Sequence, residues 1–190
     1  MSGKVDNQVM VRRSFQIRLE ASPLLGGPSW LPLHVKVILQ PEKPVVLNSK
    51  NKEIQPEETD YFEGYRRHCY IWDFIPVNAT ELSTLWQLVT LQAVQGKIRF
   101  SEKIPADSSP EKLQDSSFVV YRQSLPLERL KDGDFESIEQ SLLKRAHEYC
   151  GSYREDALHL VYNNCWAFAL GLCWQLKRDV SLSAEQRVEA

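Results

Sequence analysis

The sequence lacks the features that would place it at a membrane, in the secretory route or on nucleic acid. No apolar run approaches the roughly 20 residues that a membrane-spanning helix needs. Residues 1–20 carry the charges of Lys4, Asp6 and Arg12 and contain no apolar segment typical of a secretory signal. The net charge of −2 gives no domain-wide basic field for nucleic acid. We therefore expect a cytoplasmic protein, with an organelle left open, that has no integral membrane segment and no nucleic-acid partner.

Metal-binding cysteine patterns are missing as well. The four cysteines show no CxxC spacing, and the histidines show no HxxxH spacing, so we expect no metal and no cofactor. Cys165 and Cys173 fall on one predicted helix, about 12 Å apart along its axis, which is too far for a disulfide. Each cysteine taken alone is most simply interpreted as a reduced, buried thiol.

The composition is that of an ordinary globular domain. Apolar residues make up 43% and charged residues 25% of the 190 residues. We expect one domain over residues 1–190, with a core from about residue 9 to residue 177 and a polar C-terminal tail at 178–190. Strand and helix patterns are mixed without βαβ regularity, which favours the α+β class. The sequence leaves the oligomeric state open.

Apolar periodicity predicts the main elements. Alternation predicts strands at 9–20 and 31–40, and the aromatic stretch 68–75 predicts a buried strand. A helix is predicted from a cap at Asn78 to Gly96. The apolar stretch 165–176 predicts a helix buried almost all round. Residues 48–59 are polar and predict a surface loop.

Cys165 stands where the last of these helices should begin. Asn163 and Asn164 precede the apolar stretch, and asparagine is a preferred N-cap. A thiol at a helix N-terminus lies near unsatisfied backbone amides and the positive end of the helix dipole, which stabilise a thiolate or an oxyanion. The alternative is a small buried residue in the first helical turn.

A nucleophilic cysteine needs a base within hydrogen-bond reach. His147 falls late in an amphipathic helix and His159 on a short approach to Cys165, so both are interpreted as surface or packing residues. His34 shares a strand face with Lys36, opposite the aliphatic stripe of the same strand. The strand face that carries His34 lines either a cleft or the solvent-exposed surface.

A third group should orient the imidazole, and two residues of the next strand are candidates. His68 and Asp73 are five residues apart, so they point to opposite faces of a regular strand. Asp73 lies within an aromatic strand, where a carboxylate needs a partner, and this favours Asp73 over His68.

This order of residues resembles the permuted papain-like thiol enzyme superfamily. Its members include the lecithin:retinol acyltransferase-like (LRAT-like) proteins, the PPPDE isopeptidases and relatives of NlpC/P60. The motif Asn-Cys-Trp-Ala-Phe at 164–168 is similar to the Asn-Cys-x-x-Phe signature of the acyltransferase-like branch. Asp-Phe-Ile-Pro at 73–76 resembles that branch's third-residue strand, where a His normally occupies the position of Asp73. Residues 68–176 also resemble a group of uncharacterised plant and algal proteins.

The resemblance implies an antiparallel sheet packed against a buried, Cys-bearing helix. It implies that Cys165 is the nucleophile, His34 the base and Asp73 the orienting residue, with His68 as the alternative and Asn164 as oxyanion or cap support. The implied function is a hydrolase, such as a thiol protease, or an acyltransferase that acts on an ester, thioester or amide of an acyl or peptide substrate. The alternative is a catalytically inactive binding module for a protein or lipid partner.

Overall fold

The computed structural model describes residues 10–23, 34–42, 45–47, 53–54, 68–103, 118–127 and 132–185. Within these ranges the chain forms seven strands and three helices, which confirms the α+β class. The strands are β1 (Met10–Ser22), β2 (His34–Pro41), β3 (Val45–Leu47), β4 (Glu53–Ile54), β5 (Cys69–Pro76), β6 (Gly96–Lys103) and β7 (Phe118–Leu127). The helices are α1 (Leu82–Val89), α2 (Asp132–Ser152) and α3 (Cys165–Glu185).

The described strands pair only in antiparallel fashion. Five of them lie in the order β6-β5-β2-β1-β7, and β3 and β4 extend the sheet from the first residues of β1. The predicted antiparallel sheet is therefore present. β4 lies inside the segment 48–59 that the sequence predicted as a loop, and the rest of that segment is outside the described residues.

Alternate residues of the central strands form the core, on the sheet face that α3 covers. Their side chains are at most 5% exposed: Phe15, Ile17, Leu19, Val35, Val37, Leu39, Tyr70, Trp72 and Phe74. From α3, Phe168 and Leu172 pack into the same cluster. The other side of α3 faces solvent, because Leu170 is 57% and Trp174 58% exposed. The prediction of a helix buried almost all round is thus wrong, since the sheet covers one side of it.

The C-terminal helix is longer than its apolar pattern predicted. α3 continues to Glu185, so the segment predicted as a polar tail is helical up to that residue. Residues 9 and 186–190, at the predicted limits of the core and tail, lie outside the described residues. None of the helices in the described ranges is long and apolar enough to cross a membrane.

The predicted helix from Asn78 to Gly96 is shorter than expected. Asn78 lies in a turn, α1 begins after Glu81, and it ends before Leu91, which adopts a left-handed φ of 58°. Beyond it, Val94 exchanges two backbone hydrogen bonds with Leu158, of 2.9 and 2.8 Å. A helix reaching Gly96 would lose these long-range bonds, and this explains the early end.

Candidate active site

Asn164 fixes the point at which α3 begins. Its side-chain Oδ1 accepts a hydrogen bond of 2.8 Å from the backbone N–H of Ala167. Its backbone carbonyl accepts the first helical bond, from Phe168, at 3.0 Å. Its Nδ2 donates to the carbonyl of Leu160 at 2.7 Å, which ties it to the preceding turn. Asn164 is therefore the N-cap, as the sequence predicted, and Cys165 is the first residue of the helix.

Replacing Asn164 by alanine should lower the free energy of unfolding by about 1–2 kcal/mol. The N–H of Ala167 would lose its acceptor, and the carbonyl of Leu160 would lose its donor. Urea denaturation followed by tryptophan fluorescence measures this change. Asn164→Ser keeps a capping oxygen and should recover the part of the loss that comes from the cap, but not the bond to Leu160. An alanine variant as stable as the wild type would contradict the capping role.

The thiol of Cys165 is buried at the start of α3, with 7% of the residue exposed. Burial raises the pKa of Cys165 to about 11, against the opposing effect of hydrogen bonds from the backbone N–H groups of Val35, Trp166 and Cys165 itself. The negative charge of Asp73 also raises this pKa. At neutral pH the group is a thiol, so it needs a base to become a nucleophile.

Asp73 binds His34 from the neighbouring strand. The Nε2 atom of His34 lies 3.2 Å from Oδ2 of Asp73, and both residues are buried. Arg99 on β6 donates to the same carboxylate through Nε at 2.8 Å and through Nη2 at 2.5 Å. Burial alone would raise the pKa of Asp73. The hydrogen bonds from Arg99 and His34 outweigh it and, with the favourable electrostatic interactions of the same two side chains, lower the pKa to about 2.

Strand register explains why these three side chains meet. Asp73 stands opposite Lys36 on β2 and opposite Arg99 on β6. His34 precedes Lys36 by two residues, so it points to the same side of the sheet as Asp73. An ionised carboxylate only accepts hydrogen bonds, which makes Nε2 of His34 the donor. In the neutral ring, Nδ1 then carries the lone pair that a general base needs.

The pairing between β2 and β5 stops short of the start of β2. Its last pair is Lys36 and Asp73, whereas β5 stays paired with β6 as far as Pro76. β5 therefore separates from β2 beyond Asp73. In this opening the backbone of Val35 lies close enough to the sulfur of Cys165 to lower the pKa of the thiol.

One cavity lies at this opening and brings the predicted site residues together. His34, Asn164 and Cys165 all line it. Asp73 contacts the Nε2 atom of His34 from the next strand. The structure thus places the predicted nucleophile and base on one cavity, with the favoured third residue bonded to the base.

His68, the alternative third residue, lies elsewhere. Its Nδ1 pairs with Glu102, and its ring stacks on Tyr70 at a centroid distance of 6.1 Å. Tyr70 belongs to the face that α3 covers, whereas Asp73 points to the opposite face. Five residues of strand also separate His68 from Asp73 by roughly 16 Å. Of the two candidates for the third residue, Asp73 contacts His34, whereas His68 contacts Glu102 instead.

The two remaining histidines have structural contacts outside the cavity, as their positions in the sequence suggested. The Nδ1 atom of His147 lies 2.9 Å from the carbonyl oxygen of Leu143, one turn earlier in α2. The ring of His159 joins two turns, since Nε2 lies 2.9 Å from the carbonyl oxygen of Leu91 and Nδ1 accepts from the N–H of Val161 at 3.0 Å.

Nothing in the sequence indicated that two further groups belong to the site, the side chain of Arg99 and the backbone N–H of Val35. Arg99 binds Asp73 only because β6 pairs with β5 in one particular register. Val35 contributes a backbone N–H, which side-chain type does not reveal. The alternation Lys97, Arg99, Ser101 places Arg99 on one strand face, but only the pairing identifies the carboxylate it faces.

Within the described ranges, no group of three or more His, Cys, Asp or Glu side chains is placed to hold a metal ion. All four cysteines, each inside these ranges, are thiols. The chain matches no protein-family model, no curated protein and no solved structure. Its function is therefore argued from the geometry of the cavity.

Proposed function

We propose that this chain is a cysteine-dependent hydrolase or acyltransferase with the permuted papain-like arrangement, which cleaves an ester, thioester or amide through an acyl-enzyme on Cys165. The observation that carries the proposal is the cavity shared by His34 and Cys165, with Asp73 bonded to Nε2 of the His34 ring. The order of these residues along the chain supports it, because the same order marks the superfamily that the sequence resembles. The substrate is an acyl or peptide compound of the cytoplasm.

In the proposed reaction, Nδ1 of His34 accepts the thiol proton while the sulfur of Cys165 attacks the carbonyl carbon. The N–H groups that surround the sulfur, from Val35 and from the start of α3, stabilise the charge on the carbonyl oxygen. His34 then protonates the leaving group. Water or an acceptor amine attacks the thioester and restores the thiol. Asp73 keeps the ring oriented and stabilises the imidazolium.

A thiol probe such as iodoacetamide tests whether Cys165 is activated, because the chain contains a matched reference. Burial raises the pKa of both Cys150 and Cys165 to about 11, and Cys150 is the more exposed of the two. Without a base, Cys150 should react at least as fast as Cys165. We expect Cys165 to be labelled at least about tenfold faster at neutral pH, as measured by mass spectrometry of peptides after brief exposure.

Two further measurements complete this test. Cys173 is a slow reference, because burial raises its pKa to about 12. A screen of ester, thioester and isopeptide substrates, with Cys165→Ala as the control, identifies the bond that is cleaved. If Cys165 is labelled no faster than Cys150, the chain has no activated nucleophile and the proposal fails.

An inactive binding module for a protein or lipid partner is the second candidate. The specific observation in its favour is the exposed apolar side of α1, where Leu82 is 83%, Trp86 69% and Val89 70% exposed. Such a module would keep Cys165 as a buried structural thiol. Equal labelling of Cys150 and Cys165, without turnover of any screened substrate, would favour the inactive binding module.

A further inference from the structure

The cavity beside Cys165 is small and mostly apolar. Its volume is about 50 Å³. That is room for only a few water-sized groups. His34, Asn164 and Cys165 occupy one part of its lining. The rest of the lining consists of Phe74, Pro76, Leu88, Leu158, Leu160 and Trp166.

Close packing holds this wall in place. Phe74 is 1% exposed, and its ring meets Tyr153 edge-on at a centroid distance of 5.2 Å. Gly96 lies so near that a Cβ there would come within 2.4 Å of the Phe74 ring. Leu158 is held by its two backbone hydrogen bonds to Val94. Packing of this density resists expansion, because a larger occupant would force side chains off their preferred rotamers.

We propose that this cavity binds the acyl chain of the substrate and that the chain is a short aliphatic one, of about two to four carbons. The inference rests on the proposed function, because it takes Cys165 to be the residue that is acylated. An aliphatic chain gains about fourfold in binding for each buried methylene, whereas a charged chain would lose its hydration against this wall. The cavity cannot bury a longer chain, whose remaining carbons would have to stay in solvent or displace the wall.

Besides the substrate, water is the only reactant that this reaction needs. The bond between the acyl carbon and the leaving alcohol or thiol breaks, and a bond from that carbon to the sulfur of Cys165 forms. The thiol proton passes through His34 to the leaving group. Water then cleaves the thioester, which releases a short carboxylic acid and returns a proton to Cys165.

A series of p-nitrophenyl esters with acetyl, butyryl and octanoyl chains tests the inference. In an open apolar site, reactivity would rise with chain length, because each further buried methylene strengthens binding about fourfold. We expect the opposite, with the octanoyl ester acylating Cys165 at least about tenfold more slowly than the butyryl ester. Mass spectrometry measures the acyl-enzyme, and Cys165→Ala gives the background.

Enlarging the cavity should weaken this preference. Leu88→Ala removes part of the wall and should raise the octanoyl rate relative to the butyryl rate by about tenfold. Leu88 is buried, so Leu88→Ala can destabilise the fold. Leu160→Ala, at a half-buried position of the wall, is therefore the second variant. Leu172→Ala is the matched control. It is buried in α3 but does not line the cavity, so it should lower stability without changing the ratio of the two rates.

The outcomes separate this inference from the proposed function. Equal rates for the esters, or a wild-type preference for octanoyl, would overturn the short-chain cavity and leave Cys165 as the acylated residue. Preferential labelling of Cys165 by iodoacetamide without acylation by any ester would also reject a short acyl substrate. Absence of both acylation and preferential labelling would reject the proposed function and this inference with it.

Discussion

His34→Ala should slow the acylation of Cys165 by about 10²–10⁴-fold at neutral pH. Burial raises the pKa of Cys165 to about 11. Without a base only about one molecule in 10⁴ carries the thiolate at neutral pH. In the proposed mechanism, Nδ1 of His34 takes the proton as the sulfur attacks. Stopped-flow release of p-nitrophenol from the butyryl ester measures the rate of this step.

The pH dependence separates a base from a structural residue. In His34→Ala the rate should rise about tenfold per pH unit, because it follows the thiolate alone, and the gap to the wild type should narrow as the pH rises. His34→Gln is the matched control, since its amide can still donate to Asp73 but cannot accept the proton. It should react as slowly as the alanine variant while folding more stably. If the ratio of the wild-type acylation rate to that of His34→Ala stays constant with pH, His34 only stabilises the structure and does not accept the proton.

The parts of this site that depend on near neighbours could be predicted from the sequence. The cap at Asn164 and the start of α3 at Cys165 follow from a few adjacent residues, because capping is a local interaction. The two-residue period of a strand separates His68 from Asp73, and the structure places them on opposite faces. The same two-residue period places His34 and Lys36 on one face of their strand. In the structure, Asp73 points to that same side of the sheet.

The parts that depend on pairing between distant segments could not be predicted. Nothing near Asp73 in the sequence indicates that Arg99 stands opposite it, because register is set by whole strands. The opening between β2 and β5, where Val35 meets Cys165, is equally non-local. The predicted helix to Gly96 fails for the same reason, since bonds to a distant turn replace its last residues.

Asp73→Asn should lower the free energy of unfolding by about 2 kcal/mol at neutral pH. The pKa of Asp73 is lowered from 3.8 to about 2 in the folded chain, so folding favours the ionised form. This stabilisation is fully present above pH 3.8 and is lost as the pH falls through about 2. Urea denaturation across this pH range should show the wild type and the variant converging in acid. A difference independent of pH would contradict a stabilising ionised carboxylate.

Comparison with Asp73→Ala separates the charge of Asp73 from its hydrogen bond to His34. Asparagine keeps a side-chain oxygen that can accept from Nε2 of His34, whereas alanine leaves the ring without that partner. The loss of charge affects stability similarly in both variants, because the Arg99 side chain is 53% exposed and can turn to water. Acylation of Cys165, measured on the folded variants, should therefore fall further in Asp73→Ala than in Asp73→Asn. Asp73→Ala should also unfold at a lower urea concentration, because the buried His34 ring loses its acceptor. Equal acylation rates would show that the contact between Asp73 and His34 stabilises the sheet without orienting the base.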